Sequence, residues 1–121
     1  MDNPIWNVEF HHDFLSEYET FSTEVQKTML AILDVLQTEG PQLGRPYVDT
    51  LNGSKHANMK ELRFDADDGV WRALFAFDPQ RKAIVLVAGD KSGGSEKRFY
   101  KDLIKKADKR FDQHLTTLKK G

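Results

Sequence analysis

Apolar and polar positions change rhythm along this chain, and the changes mark out its elements. Met59-Lys60-Glu61-Leu62-Arg63-Phe64 alternates, then meets Asp65-Ala66-Asp67-Asp68-Gly69, an acidic turn with a glycine available for a positive φ angle. Val70-Trp71-Arg72-Ala73-Leu74-Phe75-Ala76-Phe77 follows, and Asp78-Pro79-Gln80-Arg81 is a second turn signature. Ala83-Ile84-Val85-Leu86-Val87-Ala88 is almost unbroken apolar sequence, the pattern of a strand covered on both faces. A three-stranded meander is therefore predicted.

Upstream, Ile5-Trp6-Asn7-Val8-Glu9-Phe10 alternates and reads as a first strand. His11, His12 and Asp13 open a helix carrying Phe14, Leu15 and Tyr18. Ser22 or Thr23 caps a longer helix, and Thr23-x-x-Gln26 fits a capping box. Val25, Met29, Ile32, Leu33 and Leu36 form its apolar stripe, and Gly40-Pro41 stops it. Residues 42–58 read as a long loop pinned by Val48 and Leu51, and long loops are often functional. Ser95 caps a last helix with Phe99, Leu103, Ile104 and Ala107 inward; Phe111, His114, Leu115 and Leu118 extend or restart it, and Lys119-Lys120-Gly121 frays.

This order predicts an α+β fold over 1–121 as one domain: a small, mainly antiparallel sheet, an N-terminal helical hairpin and a C-terminal helix. Helices are expected on one face, leaving Lys60, Arg63 and Arg72 on the other. Parity places Lys60 and Arg63 on opposite faces of a flat strand, so a bulge or a sheet edge would be needed to bring both to one ligand. Glu61 is in reach of Arg63 or Arg72 across strands, a purely structural pairing of equal weight on spacing alone.

Composition narrows the chemistry. The chain has 121 residues, enough for a single core, and no cysteine, which excludes disulfides and thiolate metal sites. That suits a reducing, cytoplasmic setting. No apolar run reaches membrane-spanning length, and Met1-Asp2-Asn3-Pro4 lacks the regions of a signal peptide. The net charge of −1 hides a polarity. Residues 1–40 hold one basic and eight acidic residues, net −7; residues 91–121 hold ten and four, net +6. Such a basic end attracts nucleic acid or an acidic protein, or is simply the wet face of a helix. Adjacent His11 and His12 would make a poor chelate on a helix, so no metal is expected there. Ser92-Gly93-Gly94-Ser95 lacks P-loop spacing.

The segments ELRF (61–64), WRALFAFDP (71–79) and GDK (89–91), with Arg98-Phe99-Tyr100 and Ala107-Asp108 behind them, resemble the RelE/HigB-type toxins of bacterial type II toxin–antitoxin systems, in the phage-derived HigB-like branch. The resemblance covers nearly the whole chain. It implies a RelE/ParE-like fold and an endoribonuclease that cuts mRNA, commonly on the ribosome, with no cofactor or metal. It also implies a cytoplasmic partner, a helix-turn-helix antitoxin, that keeps it silent. Metal-free RNA cleavage needs a base for the 2′-OH, an acid for the leaving 5′-oxygen and cations around the phosphorane.

Arg63, Arg72 and Lys91 match the family's basic cluster and are the expected catalytic set; guanidinium suits bidentate phosphate binding. Lys55, His56, Lys60, Arg98 and Tyr100 are the expected substrate-binding set, His56 as proton carrier and Tyr100 as a stacking platform. On this reading Arg72→Ala abolishes cutting with the fold intact. A non-catalytic, ParE-like inhibitor of DNA gyrase and an inactive antitoxin-binding relative are the alternatives. The enzymatic reading fails if those guanidinium groups prove neutralised by the chain's own carboxylates and shut off from solvent.

Overall fold

The computed structural model describes residues 5–120, so Met1-Asp2-Asn3-Pro4 and Gly121 lie outside the described residues. Five strands and three α-helices follow in chain order: β1 (Asn7–Phe10), α1 (His12–Tyr18), α2 (Thr23–Glu39), β2 (Val48–Thr50), β3 (Met59–Ala66), β4 (Gly69–Phe77), β5 (Lys82–Asp90) and α3 (Glu96–Lys120). One sheet has the order β1-β5-β4-β3-β2, with β1 parallel to β5 and every other pair antiparallel. The predicted meander is present, and the first strand joins it beside β5.

Alternation fixes which side each residue faces. Leu62, Phe64, Ala73, Phe75, Ala83 and Val85 pack against Phe14 of α1 and the Val25, Met29, Ile32, Leu33 and Leu36 stripe of α2. Met59, Leu74, Ala76, Ile84 and Leu86 pack against Leu103, Ala107 and Phe111 of α3. Helices therefore cover both faces, which corrects the one-face expectation. The unbroken apolar run of β5 required this, since a strand with one wet face alternates. Arg110 of α3 joins the two layers: buried, it donates to both Glu17 carboxylate oxygens, at 2.9 and 2.6 Å, and to the Leu86 carbonyl at 2.8 Å.

Local chemistry sets the joints. Ser22, not Thr23, caps α2, accepting from the Val25 amide at 3.3 Å. Gln26 consequently sits outside a capping box and donates instead to the Tyr18 carbonyl at 2.9 Å, closing the helical hairpin. Ser95 caps α3 as expected, accepting from the Arg98 amide at 3.2 Å, and α3 runs on unbroken through His114. The β3–β4 turn places its positive φ angles on Asp67 (53°) and Asp68 (62°), the paired left-handed geometry of a two-residue hairpin, and not on Gly69. Gly69 is needed for space: a Cβ there would lie 2.6 Å from the Asp90 carboxylate, which accepts from the Val70 amide. The residues read as one loop contain β2, three residues long and antiparallel to β3.

Candidate active site

β2 pairs with β3 only from Leu62 back to Lys60. Beyond that, the Arg63 amide donates to the Tyr47 carbonyl at 2.7 Å, and among the described residues no strand pairs with the outer edge of β3 past this point. An open groove of about 800 Å³ follows that free edge. Arg45, Tyr47, Arg63, Phe64 and Arg72 line it, with Thr28, Ala31 and Ile32 of α2 as its far wall. Because it wraps an edge, the groove draws side chains from both faces of the sheet.

Arg63 and Arg72 are Cα partners across β3 and β4 and face the α3 side. Their environments differ. Arg72 sits on the central strand and is 5% exposed. Its Nε donates to the Tyr100 hydroxyl at 3.2 Å and its Nη1 to the Trp71 carbonyl at 2.8 Å. Tyr100 in turn donates to Glu61 Oε1 at 2.6 Å, and that oxygen lies 3.7 Å from Arg72 Nε. Burial and the Glu61 carboxylate push the Tyr100 phenol up to about 12, so it keeps its proton at neutral pH. Arg63 has a 31% exposed side chain, and its Nη1 lies 3.6 Å from Asp49 Oδ2. That same oxygen accepts from Arg45 Nε at 3.0 Å and Nη2 at 2.7 Å. The Arg45 hydrogen bonds, the Thr50 amide and the Arg63 charge hold the Asp49 carboxyl below its ordinary range.

Lys91, just past β5, donates to Glu96 Oε1 at 2.7 Å, and its ammonium is 6.0 Å from the Tyr100 ring centre. Each member of the expected catalytic trio therefore has a carboxylate neighbour. Arg72 meets the condition set against it, being both paired and shut off from solvent. Arg63 does not, because it shares its carboxylate with Arg45 and keeps access to the groove.

The expected substrate-binding residues divide. Tyr100 belongs to the Arg72 cluster as a hydrogen-bonding strut with its hydroxyl fully engaged, not as a free stacking surface. Lys60 points to the α2 side and donates to the Pro41 carbonyl at 3.0 Å. The one register shift of the meander falls between β4 and β5, at Leu74/Phe75, so no bulge brings Lys60 to Arg63. Lys55 pairs with Asp112 of α3, and His56 Nε2 lies 2.9 Å from the same carboxylate with its ring edge-on to Phe111. At about 1.5 Å of rise per residue, Asp112 lies roughly 18 Å along α3 from Tyr100, so Lys55 and His56 are apart from the arginines. Arg98 is exposed on the first turn of α3.

Arg45 and Tyr47 are groove residues that sequence reasoning missed, as is Asp49 beside the groove, which pairs with Arg45. An Arg and an Asp four apart around an exposed tyrosine, in a loop long for its job, were the available signal. Among the described residues, His11, His12 and Asp13 are the group whose donor atoms come within 4.8 Å of one another. The helix-spacing argument against them does not apply, because His11 is the cap of α1 with extended backbone and its ring stacks on His12 at 4.6 Å. His11 Nδ1 is already committed, accepting from the Asp13 amide at 3.1 Å.

The phage-derived Gp49-like family model matches residues 16–112, from α1 to α3. The chain belongs to the Gp49-like family. It is 48% identical over 93 residues to "Putative toxin HigB2" of Mycobacterium tuberculosis (strain ATCC 25618 / H37Rv), covering 76% of this chain and 46% of that protein. It therefore spans about half the length of that relative. It is 46% identical over 94 residues to "Putative toxin HigB3" of the same organism, covering 78% and 80%. The fold is similar to that of a free R81A/R83A mutant of the E. coli toxin RelE (TM-score 0.60, 13% identity, 83% and 94% covered). It is also similar to an archaeal RelE–RelB complex from Pyrococcus horikoshii OT3 (TM-score 0.52, 16% identity, 74% and 99% covered). The RelE-like α+β fold is thus shown for this Gp49-like chain.

Proposed function

We propose that this Gp49-like protein is the toxin of a type II toxin–antitoxin pair and acts as a metal-independent endoribonuclease on ribosome-bound mRNA. The observation that carries the reading is the groove at the free edge of β3. It is open and lined by Arg45, Arg63, Tyr47 and Asp65, and the Asp49 carboxylate beside it contacts both arginines. Family membership and the names of the HigB relatives support the toxin assignment. The similarity to the archaeal RelE–RelB complex supports an antitoxin partner, here of helix-turn-helix type. A cytoplasmic location goes with this role; among the described residues no helix is long and apolar enough to cross a membrane.

In this reading the substrate 2′-OH attacks the adjacent phosphate and gives its proton to solvent water in the open groove, the P–O5′ bond breaks to leave a 2′,3′-cyclic phosphate, and Arg63 holds the developing negative charge. Its guanidinium keeps its charge throughout and offers two parallel donors. Arg72 acts at one remove: through Tyr100 it fixes Glu61 and the β3–β4 ladder that aims Arg63. Tyr100, protonated up to about pH 12, is a strut and not the base. Lys91, paired with the exposed Glu96 outside the groove lining, is assigned the protonation of the leaving 5′-oxygen, which requires substrate to draw it from that carboxylate.

The internal pairing of Arg72 and Lys91 favours a second reading, a ParE-like toxin that binds DNA gyrase without chemistry. Purified protein added to translating ribosomes separates the two. Cuts inside codons support the ribonuclease; gyrase inhibition with intact mRNA supports the other.

A further inference from the structure

Asp49 lies beside the groove, outside its lining, and holds the two groove arginines from there, whereas the carboxylate of the lining itself is Asp65. Asp49 Oδ2 accepts two hydrogen bonds from Arg45, at 3.0 and 2.7 Å, and lies 3.6 Å from Arg63 Nη1. One anionic oxygen between two guanidinium groups is the arrangement a phosphodiester oxygen would adopt. The other oxygen is engaged differently: Oδ1 accepts from the Thr50 amide at 2.8 Å, which anchors the aspartate backbone but not the charge-bearing contact. Arg45 has a 74% exposed side chain, so it can follow an incoming anion. Tyr47, 42% exposed on the same wall, stands where the base next to that phosphate would stack.

We propose that Arg45 and Arg63 form a phosphate subsite for single-stranded RNA, that Asp49 fills it in the free protein, and that substrate displaces Asp49. This deepens, and rests on, the ribonuclease reading. Asp49 is a positioning residue with a cost: it holds both arginines in place and must be exchanged for the substrate's own negative charge. Removing its charge while keeping Oδ1 frees a net positive charge in the groove.

The test is fluorescence anisotropy of a labelled, uncleavable 2′-O-methyl single-stranded RNA across a salt series, with thermal melting as the folding control. Asp49→Asn is expected to bind several-fold more tightly than the parent, with a log–log salt slope steeper by about 0.7. Arg45→Ala is expected to bind several-fold more weakly, and Arg45→Ala/Asp49→Asn to lose the gain. A structural role for Asp49 alone would not steepen the salt slope. If the parent binds and Asp49→Asn is unchanged or weaker, or Arg45→Ala is unchanged, the inference is overturned while RNA binding stands. If no variant binds, the inference is again overturned, and the ribonuclease reading is then decided separately by cutting on translating ribosomes.

Discussion

Arg63 and Arg72 stand directly opposite each other in the β3–β4 ladder, yet each leans on a different carboxylate, Asp49 for the first and Glu61 for the second. Like charges paired across strands are destabilising unless each is separately compensated. Here the compensation also divides their work. One arginine is buried into the framework under α3, and the other is left at the groove.

Arg72→Ala should therefore not leave the fold intact, contrary to the expectation drawn from sequence. It strands Glu61 in a buried site, a change that costs about 3–5 kcal/mol when a buried pair is broken. Arg72→Met combined with Glu61→Leu removes both charges and should recover most of that loss. Urea denaturation of the two variants checks this; equal destabilisation would mean the pair is not coupled.

Tyr100 should control stability at alkaline pH. Its folded value, about 12, lies above the ordinary phenol value, so the folded chain holds this proton more tightly than the unfolded chain. The stability it contributes is complete below about pH 10 and is lost as pH rises toward 12. Other groups titrate there too, with Lys55 and Lys82 raised by their carboxylate partners. The difference between the parent and Tyr100→Phe isolates the phenol. That difference should shrink as pH rises from 10 to 12.

His11 should act on the acid side. Burial first, then the neighbouring His12, hold its imidazole below the ordinary value, and as a neutral ring it caps α1. Its contribution is complete above about pH 6.5 and falls as pH drops through the lowered folded value. Protonation turns the Nδ1 acceptor into a donor and removes a cap worth about 1 kcal/mol. His11→Asn keeps a cap acceptor without the titration. Melting temperatures between pH 7 and 5 should fall more for the parent than for this variant.

His56→Gln should leave RNA cutting within about twofold of the parent, since its ring is held by Asp112 on the far half of α3. Cleavage rates on programmed ribosomes check this, and a loss of about a hundredfold, the scale of removing a general acid or base, would put His56 back in the site.

Most of the fold was legible from periodicity. The α2 stripe of Val25, Met29, Ile32, Leu33 and Leu36 is the buried set of that helix, and the meander from Met59 to Asp90 follows from alternation and two turns. The layer count was legible too, in the apolar run of β5, but one-face packing was assumed instead. β2 escaped because three residues carry too little alternation to show. The site was harder to read for a physical reason. Spacing along a strand gives the face a residue points to, so it opposed Lys60 to Arg63 correctly. It does not tell which carboxylate from another segment reaches a given cation. Asp49 comes from β2, and Tyr100 and Glu96 come from α3. Only the folded chain brings them to Arg63, Arg72 and Lys91.

The central claim is that Arg63 meets a reacting RNA phosphate in the groove. Primer-extension mapping of mRNA on translating ribosomes, with the parent and Arg63→Ala, tests it most directly. The account expects codon-internal cuts by the parent and a loss of about 10²–10³ in rate for the variant, with unchanged melting. Equal cutting by Arg63→Ala, or no cutting by the parent while gyrase is inhibited, would contradict it.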